Sequence, residues 1–285
     1  MHDNLIILAG GASSRMKKSM ASATLSEAEI KSANSVSKAL IGIGKDNRPI
    51  LDYLLFNAEK AGFKNVFIVV GEHSDSFKKH YRDTSENTFH NLALHFATQY
   101  IPEGRIKPFG TADALSQALG QYPHLQNETF TVCNSDNLYS VDVFKALRKN
   151  KDANAFISYD RDGLLFTMER ISRFALVLLD AENYVSNIIE KPSEDKVEDY
   201  RDIHGKFRVS MNIFKLNGSE IHPFLLNCPI HLERNEKELP LAILNMCKNN
   251  PKALKGIPFN EHVPDLTSKE DIEILKKYIE VHFPA

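Results

Sequence analysis

The chain has 285 residues, 42% of them hydrophobic, enough to bury a sizeable core near the upper size of a single domain. Its 35 basic and 37 acidic residues leave a formal net charge of -2, which gives no electrostatic basis for binding nucleic acid or an anionic membrane. Cys133, Cys228 and Cys247 show neither CxxC spacing nor an even count, which argues against a zinc site or a disulfide framework and suits a reducing, cytoplasmic setting. The apolar run behind Asp3 and Asn4 is too short for a signal peptide or a membrane span.

An apolar, β-rich run at 5–8 opens the chain and passes directly into LAGGASSRM at 8–16. Residues 17–37 are rich in Ser, Ala and Lys, with a faint helical pattern only around 28–32, and read as a long loop with the character of a mobile lid. Pro49 starts and Gly62 stops a segment with Ile50, Tyr53, Leu54 and Ala58 at helical offsets. Strand-like runs at 66–70, 92–97, 130–133 and 155–158 follow, with helical spacing at 112–119 and 141–147. The alternation predicts an α/β fold, a Rossmann-like and mostly parallel central sheet flanked by helices. Beyond residue 160 the order is less regular, with strands at 174–178, 185–189 and 207–214 and helices at 238–246 and 268–278. Thr267-Ser268-Lys269-Glu270 has the pattern of a capping box for the last helix, which leaves Asp265 on the loop ahead of it.

In an open α/β sheet, ligands bind beyond the C-terminal ends of the strands. Gly10 and Gly11 stand at such an end, where backbone N–H groups can approach an anion or a base edge, and Arg15 can neutralise phosphate charge. The loop has the spacing of neither GxxxxGK[ST] nor GxGxxG. Asp136 follows the run at 130–133, and Glu190-Lys191-Pro192 follows the run at 185–189, so both groups leave strand ends. Asp160-Arg161-Asp162 has the DxD form of metal-dependent glycosyltransferases, but Gly163 makes it read equally as a turn.

Taken in order, LAGGASSRM, Ser37-Lys38-Ala39-Leu40, Gly110-Thr111-Ala112, Asn134-Ser135-Asp136-Asn137 and Glu190-Lys191-Pro192 resemble the sugar-1-phosphate nucleotidyltransferases, also called nucleotide-sugar pyrophosphorylases. The resemblance implies a nucleotide-diphospho-sugar transferase fold: one domain over 1–285, with a nucleotide-binding half at about 1–150 and a smaller sugar-phosphate-binding half at about 151–285. It implies transfer of a nucleotidyl group from an NTP to a sugar 1-phosphate, with release of pyrophosphate and with Mg2+ as cofactor.

By matching position it assigns Leu8, Ala9, Gly10, Gly11, Gln99, Gly110 and Thr111 to the nucleotide, with UTP or dTTP as the donor. Arg15, Lys38 and Lys191 become the catalytic cations, and Glu190, Lys191 and Asn212 the sugar-phosphate contacts. Asp136 and Asp265 become the metal ligands, the latter because Val263-Pro264-Asp265-Leu266-Thr267-Ser268-Lys269-Glu270-Asp271 resembles the family's W-x-D-[IL]-x-T-P-E-D-like stretch. The chain departs from the family in Ser37, which replaces a proline, in the longer spacing from Arg15 to Lys38, and in Phe174-Ala175, which replaces a Tyr-Gly pair. Three other expectations compete: a nucleotide-sugar-binding regulator without turnover, a nucleotidyltransferase for a non-sugar phosphate such as phosphocholine, and a glycosyltransferase working from Asp160 and Asp162.

Overall fold

The opening strand is buried along nearly its whole length, as a strand with neighbours on both edges and helices on both faces must be. The computed structural model describes residues 1–21, 25–44, 46–82, 88–172, 174–190, 192 and 197–283. The chain first runs through β1 (Asn4–Leu8), α1 (Ser14–Lys18), α2 (Glu27–Ser35), β2 (Gly42–Ile43), β3 (Arg48–Pro49), α3 (Ile50–Ala61), β4 (Asn65–Gly71) and α4 (Asp75–Arg82). Then come β5 (Thr88–Phe89), β6 (Leu92–Gln99), α5 (Thr111–Gln121), β7 (Thr129–Asn134), α6 (Val141–Lys149) and β8 (Ala155–Asp160). It continues through α7 (Met168–Ile171), β9 (Leu176–Leu179), β10 (Val185–Ile189), β11 (Arg208–Val209) and β12 (Ile213–Asn217). The last elements are α8 (Gly218–Leu226), α9 (Leu239–Asn249), β13 (Lys255–Phe259) and α10 (Glu270–His282).

Among the described residues, eleven strands form one sheet in the order β10-β9-β11-β8-β12-β7-β1-β4-β6-β5, with β13 added beside β8. β7, β1, β4 and β6 pair in parallel, so their C-terminal ends lie along one rim. β12 joins β7 and β8 antiparallel, and β11, β9 and β10 continue in antiparallel pairs. The sheet therefore changes from crossover connections to antiparallel pairing at the β7/β12 boundary. Alternation along β1 supplies both core layers: Leu5 and Ile7 join the apolar layer of α3, α6 and α10, whereas Ile6 joins that of α5, α8 and α9. Each such fully buried side chain contributes about 1.5–3 kcal/mol.

The start and stop of α3 follow the expected signals. Pro49 precedes it, and Gly62, at φ 93, closes it by donating its N–H to the Ala58 and Glu59 carbonyls. Along the outer edge of β6, α5 supplies side chains in place of a neighbouring strand. The Gln121 amide bonds both backbone groups of Thr98, the Gln117 amide bonds both of Tyr100, and the Tyr122 hydroxyl donates to the Phe96 carbonyl.

Three expectations need correction. Residues 27–35 of the supposed loop form α2, closed by a capping box between Ser26 and Glu29, with Ala33 and Leu25 buried. This segment is fastened to the far end of the chain. Lys269 Nζ donates to the Ser19 carbonyl at 2.6 Å, and Lys276 Nζ pairs with Glu29 at 2.6 Å. The run at 207–214 is two strands, interrupted where Asn212 takes φ 56, a conformation that breaks a ladder. At α10 the N-cap is Lys269, without a side-chain cap bond, and it is Asp271, not Glu270, that reaches back: Asp271 Oδ2 accepts the N–H groups of Thr267 and Ser268 at 2.8 and 2.6 Å. No helix among the described residues is long and apolar enough to cross a membrane.

Candidate active site

The parallel rim carries a cleft of about 450 Å³. Every residue that the resemblance assigned to the nucleotide lines it: Leu8 at the end of β1 and Ala9, Gly10 and Gly11 after it, Gln99 at the end of β6, and Gly110 and Thr111 at the start of α5. Arg15, Lys38 and Asp136 line the same cleft, so the two cations and one carboxylate meet there. Lys107 and Glu236 also line it and were not foreseen.

Glycine is required at position 110. Its φ is 98, and a Cβ there would come within 2.3 Å of the Lys237 carbonyl. That packing joins the α5 start to the loop 227–238 and the start of α9: Lys237 N donates to Phe109 O at 2.8 Å, Ala112 N to Lys237 O at 3.0 Å, and Leu239 N to Thr111 Oγ1 at 2.9 Å. Gln99 is buried, and its Nε2 donates to Gly110 O at 3.0 Å and to Asp113 Oδ2 at 2.8 Å.

The second carboxylate is brought to the first by backbone pairing. Asn137 and Asp265 form an antiparallel bridge, Leu266 N donates to Asp136 O at 2.8 Å, and Leu138 N donates to Pro264 O at 2.9 Å. Burial, and then the nearby Asp136 charge, raise the Asp265 carboxyl above the usual carboxylate range. Each acid has its own cation: Lys38 Nζ meets Asp136 Oδ2 at 3.1 Å, and Arg170 meets Asp265 Oδ2 at 2.8 Å. Arg170 also holds Asp271 at 2.7 Å. Sequence inspection missed Arg170 because it sits on a single helical turn, far along the chain from both partners.

Glu190 and Asn212 line a second cavity of about 590 Å³, together with Ser172, Ala175 and Ser210. Lys191 lies outside the described residues. Its neighbour Glu190 faces His231 at 3.7 Å, and Arg234 pairs with Glu238 on the same loop 227–238. That loop thus puts Glu236 into the first cleft and Arg234 and Glu238 into the second cavity. Below this polar mouth the floor is apolar, with Phe156, Val177, Phe214 and Ile243. The Asp160-Arg161-Asp162 motif stands apart from both cavities. Asp160 accepts the Asp162 N–H at 3.1 Å and pairs with Lys206 at 3.0 Å, as a turn residue does.

The nucleotidyl transferase family matches residues 4–227, a span that holds both cavities' principal walls. The chain belongs to the nucleotidyl transferase family. Within it, the chain is similar to a glucose-1-phosphate adenylyltransferase of Koribacter versatilis, at 24% identity over 180 residues, 62% of this chain and 42% of that protein. A glucose-1-phosphate adenylyltransferase of Thermodesulfovibrio yellowstonii is 24% identical over 163 residues, 55% of this chain and 38% of that one. The matched stretch thus spans about two fifths of the length of these curated relatives, 42% and 38%. A crystal structure of UDP-glucose pyrophosphorylase complexed with UDP-glucose shares the fold, with TM-score 0.72 and 17% identity, covering 99% of this chain and all of that one.

Proposed function

We propose that this nucleotidyl transferase moves a nucleotidyl group from an NTP to the phosphate of a sugar 1-phosphate, forming an NDP-sugar and pyrophosphate. One observation carries the reading: Gly10, Gly11, Arg15, Lys38 and Asp136 line a single cleft at a parallel sheet rim, and the bridge between Asn137 and Asp265, with Leu266 N donating to Asp136 O, brings Asp265 beside it. A phosphate oxygen of the acceptor attacks the α-phosphorus, the α–β phosphoanhydride bond breaks, and pyrophosphate leaves. Such a step asks for positioning and charge neutralisation rather than a protein nucleophile.

Arg15 and Lys38 neutralise the triphosphate, Gly10 and Gly11 let it approach the backbone, and Gln99 with Gly110 and Thr111 meets the base, uracil or thymine. Lys191 holds the acceptor phosphate, and Glu190 and Asn212 accept and donate hydrogen bonds to its hydroxyls. In this division the nucleotide half is about 1–150 and the acceptor half about 151–285. The two carboxylates fit a hard divalent ion: burial first, and then the Asp136 charge, raise the Asp265 carboxyl above the usual range, and a bound cation would favour its ionised form. Asp136 and Asp265 would hold Mg2+, which when bound neutralises phosphate charge. A cytosolic location suits this substrate and the three buried, free cysteines.

The apolar floor of the second cavity, with Phe156, Phe174 and Phe214, favours one further reading, an acceptor phosphate with an alkyl portion such as phosphocholine. Pyrophosphate release, measured for ATP, GTP, CTP, UTP and dTTP against a panel of sugar 1-phosphates and phosphocholine, tests both. Release with no acceptor in the panel above the acceptor-free rate would refute nucleotidyl transfer to this class of phosphate.

A further inference from the structure

Base recognition rests on Gln99 in the proposed function, and what holds Gln99 is a relay of hydrogen bonds outside the cleft. A glutamine amide can present either a carbonyl acceptor or an amino donor, and its surroundings decide which. Here both hydrogens of Gln99 Nε2 are taken, by Gly110 O at 3.0 Å and by Asp113 Oδ2 at 2.8 Å. The carbonyl oxygen Oε1 is left facing Gly10, where a Cβ would stand only 3.2 Å from it. Gly10 thus leaves the acceptor open toward the nucleotide cleft.

Asp113 is itself braced. Its Oδ2 also accepts Gln117 Nε2 at 2.9 Å, and Gln117 has no freedom to turn, because its Oε1 accepts Tyr100 N at 2.8 Å while its Nε2 donates to Tyr100 O at 3.0 Å. The backbone of Tyr100 therefore fixes Gln117, Gln117 fixes Asp113, and Asp113 fixes Gln99. Hydrogen bonds to an ionised carboxylate are the stronger kind, so Asp113 is the firmer of the two restraints on the Gln99 amide.

We infer that Asp113 is a specificity-determining positioning residue: with Gln117 it turns the Gln99 amide so that the base must offer an N–H to Oε1. The inference rests on the nucleotidyl-transfer reading of the cleft. It differs from a plain helix-capping role, in which an acid in the first turn of α5 would only favour the helix dipole. A capping residue sets stability; a positioning residue sets the ratio between bases. A site with its hydrogen-bonding groups fixed rejects the wrong partner because a buried polar group is left unpaired.

The test is calorimetric titration of the full chain with ATP, GTP, CTP, UTP and dTTP, with and without Mg2+, alongside kcat/KM for each NTP. In Asp113→Leu the ratio of best to poorest NTP should shrink at least tenfold, on the order of one lost charged hydrogen bond. Asp113→Asn keeps an oxygen for both amides and should stay within about threefold of the original ratio. Gln117→Leu removes the brace from the other side and should move the ratio in the same direction as Asp113→Leu; it carries the test if the leucine at 113 prevents folding. The acceptor KM should be unmoved in all three. An unchanged ratio, or an equal loss for all five nucleotides, in a folded Asp113→Leu or Gln117→Leu overturns the inference while leaving nucleotidyl transfer standing. An original protein that binds no NTP removes both together, and one that binds all five alike removes this inference alone.

Discussion

Replacing Arg170 with methionine keeps an aliphatic stem over the Phe166 ring, where the guanidinium carbon sits 4.4 Å from the centroid, and deletes the charge. The lost partners are Asp265 at 2.8 Å and Asp271 at 2.7 Å, with side chains 16% and 7% exposed against 24% for Arg170. Breaking a fully buried pair costs about 3–5 kcal/mol, because a carboxylate is left without compensation. An exposed pair is worth less than about 1 kcal/mol. Arg170 lies nearer the buried limit and holds two acids, so Arg170→Met should destabilise the fold by about 2–4 kcal/mol. Asp265 should suffer most, since its ionised form is already disfavoured by burial and by Asp136. Urea unfolding of the single variants Arg170→Met and Asp265→Asn and of the double variant closes a cycle that isolates their coupling, expected at about 1 kcal/mol or more. Losses that simply add, or a loss below about 0.5 kcal/mol for Arg170→Met, would refute the account of Arg170 as the counter-ion of the second carboxylate.

Asp136→Asn should leave the fold intact and lower turnover at least about a hundredfold, the scale of removing one electrostatic contributor; near-normal rates at limiting Mg2+ would contradict the assignment. Lys191→Ala should raise the acceptor KM and lower kcat while NTP affinity stays within about threefold, which calorimetry and steady-state kinetics read separately. Gly110→Ala places a methyl group 2.3 Å from the Lys237 carbonyl at positive φ. A loss of about 2–4 kcal/mol is expected in urea unfolding, together with weaker NTP binding. Burial pushes the His2 imidazole down to about 3, while its Nε2 meets Thr131 Oγ1 at 2.8 Å. Neutral His2 therefore contributes its full stability above about pH 6.5 and loses it as pH falls from there toward 3; His2→Asn should flatten the pH dependence of unfolding by about 2–3 kcal/mol at pH 4.5.

How much of this could be read from the sequence depended on whether the signal was local. The run at 185–189 and the helix between Pro49 and Gly62 were legible because periodicity and punctuation lie inside the element itself. The gathering of one set of residues in a single cleft was legible for a related reason: Gly10, Gly11, Arg15 and Asp136 each follow an apolar strand, and parallel strands end on one rim. The helix at 27–35 was misread as loop because its buried face is small, with Ala33 as its one fully buried position, so polarity hid a helix that Ser26 caps. Asn212 broke the run at 207–214 by a backbone choice that hydropathy does not register. Lys107, Arg170 and Glu236 were not foreseen, since each reaches the site through tertiary packing of a segment without a motif of its own.

The glutamine and tyrosine side chains along β6 have a consequence for how the molecule behaves among its own copies. β5 covers only the beginning of that strand, at Ala93 and Leu92, and beyond it the outward N–H and C=O groups of residues 96, 98 and 100 would form a template for an incoming chain. Gln121 and Gln117 satisfy both groups of residues 98 and 100, and Tyr122 satisfies the carbonyl of residue 96, from a helix that cannot itself propagate a ladder. Sheet growth stops there without a proline, a bulge or an inward lysine. Loss of both glutamines would uncover hydrogen-bonding backbone at a sheet margin, and the expected result is concentration-dependent self-association rather than simple unfolding.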